Sequence, residues 1–495
     1  MIRDVLLGID LGTSSVKVVV VDPSLGICGE GRGIYETYTP QSNWAEQYAE
    51  DWWSATCQAT RQAIDMAEQE RPCNVVGLGL TGQMHSFVLI DKSGKPLRPA
   101  ITWLDSRASG LVEEVQRKIA AEHLTHVIAN ESSASLTLVQ LLWLLRNEPD
   151  VVTQGTALLM AKDYVRYRMT GEIGADVTDA SATMMMNIVE RTWLGPELEA
   201  LFGIPQQLLP TLHNSYNPAG SIQPTVASVF AGQGQKEPPV VAFGSGDQQA
   251  AALANGIIHP GMIQVMMGTG GQIATPIEEI PATPKRSLNY FCHHQDWIAQ
   301  GSLQNAGSAL GWAMNVLNAN WEDVERAAHK QNIEACPTFI PYLTGERTPV
   351  MDSQASGAWM GLRNSMTKED LLYAVVEGVI FSFTDALKEV SPTFDHIRLG
   401  GGGSQSRGYT QLLSNSIGSP LHRMPSGNTS ALGAAILGGI ASHVFGSLSE
   451  GTQRVGLQPG EVVEPDMHQH TLLTRRYQLF QEVRARGAQL KTGAL

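Results

Sequence analysis

Apolar runs broken by short bends rich in glycine and hydroxyl side chains recur along the chain. The first is "VLLGIDLGTSSVKVVVVD": residues 5–9 read as a strand and residues 16–21 as a second, Val-rich strand. The break between them is short enough for a hairpin loop. Such a loop presents backbone N–H groups and the hydroxyls of Thr13, Ser14 and Ser15, which suits an anion, phosphate first. An ordinary hairpin with a polar turn fits the same residues. Next, "WAEQYAEDWWSATCQATRQAIDMAEQE" predicts an amphipathic helix with Asp51 at its start. "VVGLGLTGQMHSFVLIDKSGKPL" reads strand, polar turn, strand, and "SASLTLVQLLWLLRNEPD" reads as a helix apolar on most sides and therefore buried. In "GQGQKEPPVVAFGSGDQQAAALANG" a surface loop leads into the strand "PPVVAFG". A helix over Gln248–Asn255 follows, stopped by Gly256.

The opening pattern then returns. "MIQVMMGTGGQIATP" is again an apolar run, a Gly-Thr-Gly-Gly bend and an apolar run, so that Thr13 and Thr269 mark equivalent bends. Two such copies predict two related halves facing one another, although Gly-Thr turns also occur by chance. A third element, "IRLGGGGSQSRGYTQLLSN", reads strand, four glycines, then a helix from about Ser406. Glycine there lets backbone approach a ligand closely, and the helix start adds free N–H groups.

Composition narrows what the bends can hold. At 495 residues the chain calls for two or three domains, and 43% hydrophobic with 17% charged residues suits a well-packed enzyme. The formal net charge of -14 disfavours nucleic acid and anionic membranes as partners. Five cysteines (28, 57, 73, 292, 336) show no CxxC or His-paired metal spacing. A reduced, cytoplasmic setting is the expectation, with no signal-peptide pattern at the start and no apolar stretch long enough to span a membrane.

An acidic protein that binds a polyphosphate cannot rely on a basic patch. Backbone amides, hydroxyls and Mg²⁺ must carry the neutralisation. Three such bends, Asp10 beside the first, and Lys17 nearby match that need. No G-x-x-x-x-G-K-[ST] run is present, nor a dinucleotide fingerprint with its acidic residue. The candidate acid/base group is Asp247 in "GSGDQQAA", between a predicted strand and helix, where a crevice in an α/β sheet lies. A carboxylate there suits acceptance of a proton from an attacking hydroxyl in phosphoryl transfer. It equally suits an N-cap, and the two roles are compatible.

Over roughly residues 5–445 these motifs resemble the FGGY carbohydrate kinases. The most specific match is "GAWMGLRNSMTKEDLLYAVVE" (357–377), against the family's C-terminal signature. "DLGTSS" resembles the first phosphate loop, "GTGG" the second, "GGGGSQS" the adenosine-side loop and "GDQQAA" the catalytic-base motif. "GQMHS", "AITWLDSRA", "AKDYVRYRMTGEIGADVTDASATM" and "PYLTGERTP" look most like the xylulokinase branch.

The resemblance implies an α/β fold of two ribonuclease-H/actin-like domains with an interdomain cleft. Residues 1–245 would form a sugar-binding domain and 246–495 a nucleotide-binding domain. It implies an ATP- and Mg²⁺-dependent kinase acting on a terminal hydroxyl of a small sugar, D-xylulose first, with gluconate, another ketose or a polyol as alternatives. A non-catalytic actin-like nucleotide-binding protein is a more distant one. Asp247 would deprotonate the sugar hydroxyl and Asp10 would hold Mg²⁺ through water. Thr13, Ser14 and Lys17 would lie near the phosphates, with Gly268, Thr269 and Gly270 facing them from the other domain. Gly402, Gly403 and Gln405 would border the adenosine pocket, and Met84, His85, Trp103 and Asp105 would line the sugar site with Asp247. Members of the family are often homodimers. Two departures stand out: Leu104 where the xylulokinase branch carries Asn, and Gln140 where the family's first signature carries Lys. The tail "LLTRRYQLFQEVRARGAQL" reads as a helix for packing or self-association.

Overall fold

The opening hairpin forms where the pattern places it. Arg3–Leu11 pairs antiparallel with Ser15–Asp22, with Asp10 opposite Lys17, so the Gly12-Thr13-Ser14 bend sits at the tip. The computed structural model describes residues 2–391, 393, 396–425 and 427–492, the last five of these by backbone alone. Ser15–Asp22 pairs antiparallel with Gly26–Ile34, completing a three-stranded meander. On its other side Arg3–Leu11 runs parallel to Cys73–Gly82, which runs parallel to Val240–Ala242. Pro218–Ser221 closes that edge antiparallel.

The second sheet repeats this order. Met262–Met267 and Gly271–Ile277 form the second hairpin, with Gly268-Thr269-Gly270 at its tip, and Trp297–Leu303 completes the meander. Met262–Met267 then runs parallel to His396–Gly400, which runs parallel to Leu421–Arg423. Each sheet has seven strands, and the two share an antiparallel meander, two parallel neighbours and an antiparallel edge. The second adds Asn289–Cys292 antiparallel beyond its meander, whereas the seventh strand of the first, Ser245–Gly246, pairs parallel with the end of Cys73–Gly82. The similarity of the two bends therefore reflects duplicated topology, as the actin-like fold requires. Both parallel arms end at the bends, where the carboxyl ends of strands leave a crevice.

Local sequence accounts for the helices that matter to the site. Ala49–Glu68 buries its alanines, Trp52 and Ile64, with Asp51 in the first turn. Lys368–Val390, from the signature segment, opens with a capping box in which Thr367 and Asp370 satisfy each other's backbone N–H. The tail helix Met467–Thr492 packs Leu473, Tyr477 and Phe480 into the same core as Phe381 and Phe383. Packing is thus its role within one chain.

One connection crosses between the halves. After the last parallel strand of the second sheet, helix Thr429–Ala441 returns to the first sheet. There Ala431, Ala435 and Leu437 cover Leu6, Val19 and Val21. The fit is close enough to demand glycine on both sides. A Cβ on Gly8 would stand 1.8 Å from the Ala431 carbonyl oxygen, and one on Gly433 would stand 1.9 Å from that of Ala250. Helix Asp247–Ala254 is clamped by this contact, and Ser430 Oγ donates to the Asp247 carbonyl at 3.2 Å.

Candidate active site

Asp247 takes its place from strand pairing. Ser245 lies opposite Thr81 and Gly246 opposite Gly82 on the strand Cys73–Gly82. Asp10 lies opposite Thr81 on that strand's other side. Asp10 and Ser245 thus stand two strand spacings, about 10 Å, apart across one strand end, and Asp247 follows Ser245 by two residues. Gly246 occupies the cap position and Asp247 is the first residue of the helix, so the N-cap role falls to glycine. Burial pushes the Asp247 carboxyl up to about 7, and the negative charge of Asp10 adds to the effect. Burial likewise lifts Asp10 to about 6, against the pull of Lys17. Asp10 Oδ1 is buried without a hydrogen-bond partner.

A buried polar network behind Asp247 is built by the "AKDYVRYRMTGEIGADVTDASATM" segment. Lys162 Nζ stands 2.7 Å from Asp163, 2.8 Å from Asp176 and 3.6 Å from Asp179. Asp176 accepts the Thr178 hydroxyl at 2.6 Å, and that hydroxyl in turn accepts the Gly246 N–H at 3.0 Å. Burial holds Asp179 well above the usual carboxylate range despite Lys162, with Asp176, Asp163 and Asp247 adding to the rise. The network fixes the backbone immediately before Asp247. Sequence reading noted the segment but assigned its residues no role, because nothing local says that 162, 176 and 246 meet.

A cavity of about 730 Å³ opens in the second lobe, lined by Gly268 and Thr269 of the hairpin, Gly402, Gly403 and Gln405 of the glycine run, and Trp321, Glu325 and Tyr409. Gly402–Gln405 forms a 3₁₀ turn, and Ser406 caps the helix Arg407–Ile417 by accepting the Tyr409 N–H at 3.0 Å. Trp321, 59% exposed, offers an aromatic face at the cavity edge. A smaller cavity continues along the other side of the glycine run to Thr429, next to the Ser430 that touches Asp247. The glycine run is thus bordered by a cavity on each side, the larger with an aromatic edge at Trp321.

A second cavity of about 380 Å³ lies between the lobes. The first lobe contributes His85, Trp103 and Ala182, and the second Phe291, Gln300, Ser302 and Arg347. His85 has φ +67°, and burial pulls its imidazole down to about 4, so it is neutral at neutral pH. Trp103 Nε1 donates to Thr13 Oγ1 at 3.0 Å, tying this cavity to the first bend. Gln47 Nε2 donates to the Thr13 carbonyl at 2.7 Å from beneath. Ser14 and Lys17 are exposed at the same hairpin. Met84 packs under the site: its side chain borders Gly246 and shares an apolar cluster with Ala182 and Phe291 across the lobes.

Asp105 stands apart from its sequence-assigned companions. It is 1% exposed, and its carboxylate accepts the Ala45 N–H at 2.6 Å and the Arg107 side chain at 2.9 and 2.7 Å. It lines neither cavity and works as the anchor of the loop that carries Trp103. The two departures resolve in the same loop. Leu104 is 46% exposed and lines neither cavity, so the Asn-to-Leu difference falls outside the pocket. Gln140 is fully buried and donates to the Thr102 carbonyl at 3.0 Å, holding the loop from below. The second-lobe lining (Phe291, Gln300, Arg347) was not assigned from sequence. The quoted "PYLTGERTP" motif was its only visible signal.

Duplicated α/β lobes with a glycine-bordered cavity on one side and a polar cavity between them define a two-lobed carbohydrate kinase. The comparisons agree. Residues 5–254 match the N-terminal domain, and residues 264–442 the C-terminal domain, of the FGGY family of carbohydrate kinases. The chain belongs to that family. It is 31% identical to the xylulose kinase of Escherichia coli K12 over 96% of this chain and 98% of that one. It is 33% identical to the xylulose kinase of Klebsiella pneumoniae over 88% and 90% respectively. Among solved structures, a xyloylose kinase from Brucella ovis superposes with a TM-score of 0.89 at 28% identity, covering 98% of this chain and 100% of that one. A gluconate kinase from Lactobacillus acidophilus shares the fold with a TM-score of 0.87 at 23% identity. Among the described residues no helix is long and apolar enough to cross a membrane, and no group of three or more His, Cys, Asp or Glu side chains could hold a metal ion.

Proposed function

We propose that this carbohydrate kinase transfers the γ-phosphoryl group of ATP to a terminal hydroxyl of D-xylulose, giving D-xylulose 5-phosphate. The observation that carries the site assignment is the pair of buried carboxylates Asp10 and Asp247 set around one strand end, with Asp10 in the first hairpin. The curated xylulose kinases among its relatives carry the choice of sugar. In this reading the larger cavity holds ATP, its base end near Trp321 and its phosphates along Gly268, Thr269 and Gly402–Gly403, with Gly270 next to them at the hairpin tip. The interlobe cavity holds the sugar against His85 and Trp103.

Asp247 accepts the proton of the sugar hydroxyl as that oxygen attacks the γ-phosphorus and ADP leaves. With its carboxyl near 7, a large fraction is ionised at neutral pH and still basic enough to take a proton. The neutral His85 can both donate and accept hydrogen bonds, which suits a polyol. Asp10, with one buried oxygen unpartnered and too few neighbouring ligands for an all-protein metal cage, suits Mg²⁺ bound mainly by phosphates and water. Such an ion supplies charge neutralisation at the phosphates. Residues 1–245 would serve mainly the sugar and 246–495 mainly the nucleotide.

The test is sugar-dependent ADP release across D-xylulose, other ketoses, gluconate and polyols. Preference for D-xylulose by kcat/KM supports the assignment. Preference for gluconate or a polyol replaces the sugar, and ATP binding without any sugar-dependent turnover refutes the kinase reading.

A further inference from the structure

The "GERTP" motif forms a strap, Gly345–Met351, between the interlobe cavity and the second hairpin. On one side Arg347, Thr348 and Met351 line the cavity. On the other, Glu346 is buried at 2% exposure, and no cation stands within ion-pair distance of it among the described residues. Its carboxylate is held by N–H groups alone. Oε1 accepts the backbone N–H of Gln304 at 2.6 Å and of Arg347 at 2.8 Å. Oε2 accepts the Asn305 backbone at 3.3 Å and the Asn305 side-chain amide at 3.1 Å. That amide also donates to the Gly345 carbonyl at 2.6 Å.

An anion buried without a counter-charge is costly unless its position is needed or its hydrogen bonds are complete. What these bonds fix is the turn that starts helix Gly307–Val316. The first N–H groups of that helix do not stay free. Gly307 donates to the Gly268 carbonyl at 3.0 Å and Ser308 to the Thr269 carbonyl at 2.9 Å. Both acceptors belong to the hairpin tip. With their carbonyls turned toward the helix, the N–H groups of the same two peptide units, those of Thr269 and Gly270, face the opposite side and are left for an anion, while the Gly268 N–H closes the bend onto the Gly270 carbonyl at 2.9 Å. The chain of contacts runs from Glu346 through the buried Asn305 and Ala306 and the helix start at Gly307 and Ser308 to the exposed tip at 268–269.

We propose that Glu346 is a positioning residue for the second phosphate hairpin: it sets the Gln304–Ser308 turn, whose N–H groups orient Gly268 and Thr269 toward nucleotide phosphate. This rests on the reading of that hairpin as a phosphate loop, and the experiment separates the two. Binding of a non-hydrolysable ATP analogue with Mg²⁺ is measured by calorimetry, with thermal unfolding recorded in parallel. In Glu346→Gln one oxygen becomes an amide facing N–H donors, and binding is expected to weaken by about tenfold, the effect of losing charge-assisted hydrogen bonds. Glu346→Asp, which keeps the charge, should recover part of the loss. A role in folding alone would lower the melting temperature and leave the affinity of the folded protein unchanged, and that result overturns the proposal. Should Glu346→Gln not fold, Asn305→Ala removes one of the amide contacts and is expected to weaken binding severalfold, unchanged affinity again being the refuting result. Thr269→Glu tests the underlying reading, because a carboxylate at the exposed tip would repel phosphate. If it binds normally the hairpin is no phosphate loop; if it fails while Glu346→Gln binds normally, only the positioning role is lost.

Discussion

Replacing Asp10 by Asn should move the acid limb of the kcat/KM profile downward in pH, and the shift can be worked from the fold. Asp247 must be ionised to accept a proton, so activity rises as pH passes through its pKa, which stands at about 7. Burial is the larger cause of that elevation and the Asp10 carboxylate the smaller. Asp10 and Ser245 stand two strand spacings, about 10 Å, apart and Asp247 follows two residues on, which sets the scale of the separation. At that distance, with an effective dielectric of about 20, two unit charges interact by about 1.7 kcal/mol, a little over one pKa unit. Removing the charge at residue 10 should therefore lower the limb by about one unit while the burial contribution stays. The height of the profile will fall as well if Asp10 helps hold Mg²⁺, so the position of the limb is the quantity to read. Because the two carboxyls interact, the limb in the parent enzyme belongs to the pair, and the single variant simplifies it to one group. The assay is coupled ADP release from pH 5 to 9 at low sugar concentration. Asp247→Ala in the same assay should lose about 10²-fold or more in kcat with ATP binding retained. A limb that does not move in Asp10→Asn, or turnover within tenfold of the parent in Asp247→Ala, would remove the base from residue 247.

Three further outcomes test other parts of the structure. Asp105→Asn breaks the anchor to Ala45 and Arg107 and should cost about 2–3 kcal/mol in denaturant unfolding. The KM for sugar should change little, whereas a selective rise in that KM would return Asp105 to the pocket. Gly433→Ala puts a methyl group 1.9 Å from the Ala250 carbonyl and must push the helix at Asp247 aside. A loss of at least about 2 kcal/mol is expected, together with a fall in kcat, and a neutral result would refute the close packing. Burial pulls His85 and His293 down from 6.5 to about 4. Above pH 6.5 neither affects stability; as pH falls from 6.5 to 4 the unfolded chain takes up protons the folded one refuses, and each costs up to about 3 kcal/mol. Unfolding midpoints that stay flat across that window would show that both imidazoles protonate freely in the native state.

Much of the site was written along the chain. Bends at Gly12–Ser14 and Gly268–Gly270 are local events, set by glycine and hydroxyl residues between apolar runs, and they form hairpins where the pattern placed them. The Ser406 cap and the Thr367–Asp370 box are equally local, because each needs only neighbours within three residues. The position of Asp247 between strand and helix followed for the same reason, although its capping role passed to Gly246. Tertiary structure alone decided the rest. Asp105 looked like a ligand residue until Arg107 and the Ala45 N–H took both of its oxygens. Lys162 and its aspartates became the support of the base only when the sheet brought them behind Gly246. Helix Thr429–Ala441, late in the chain, closes over the first strand through Gly8, and no periodicity records that return. Hydrogen bonds and caps within a few residues are fixed by the order of side chains; which buried charges meet, and which polar group is left free for a ligand, depends on contacts between segments hundreds of residues apart.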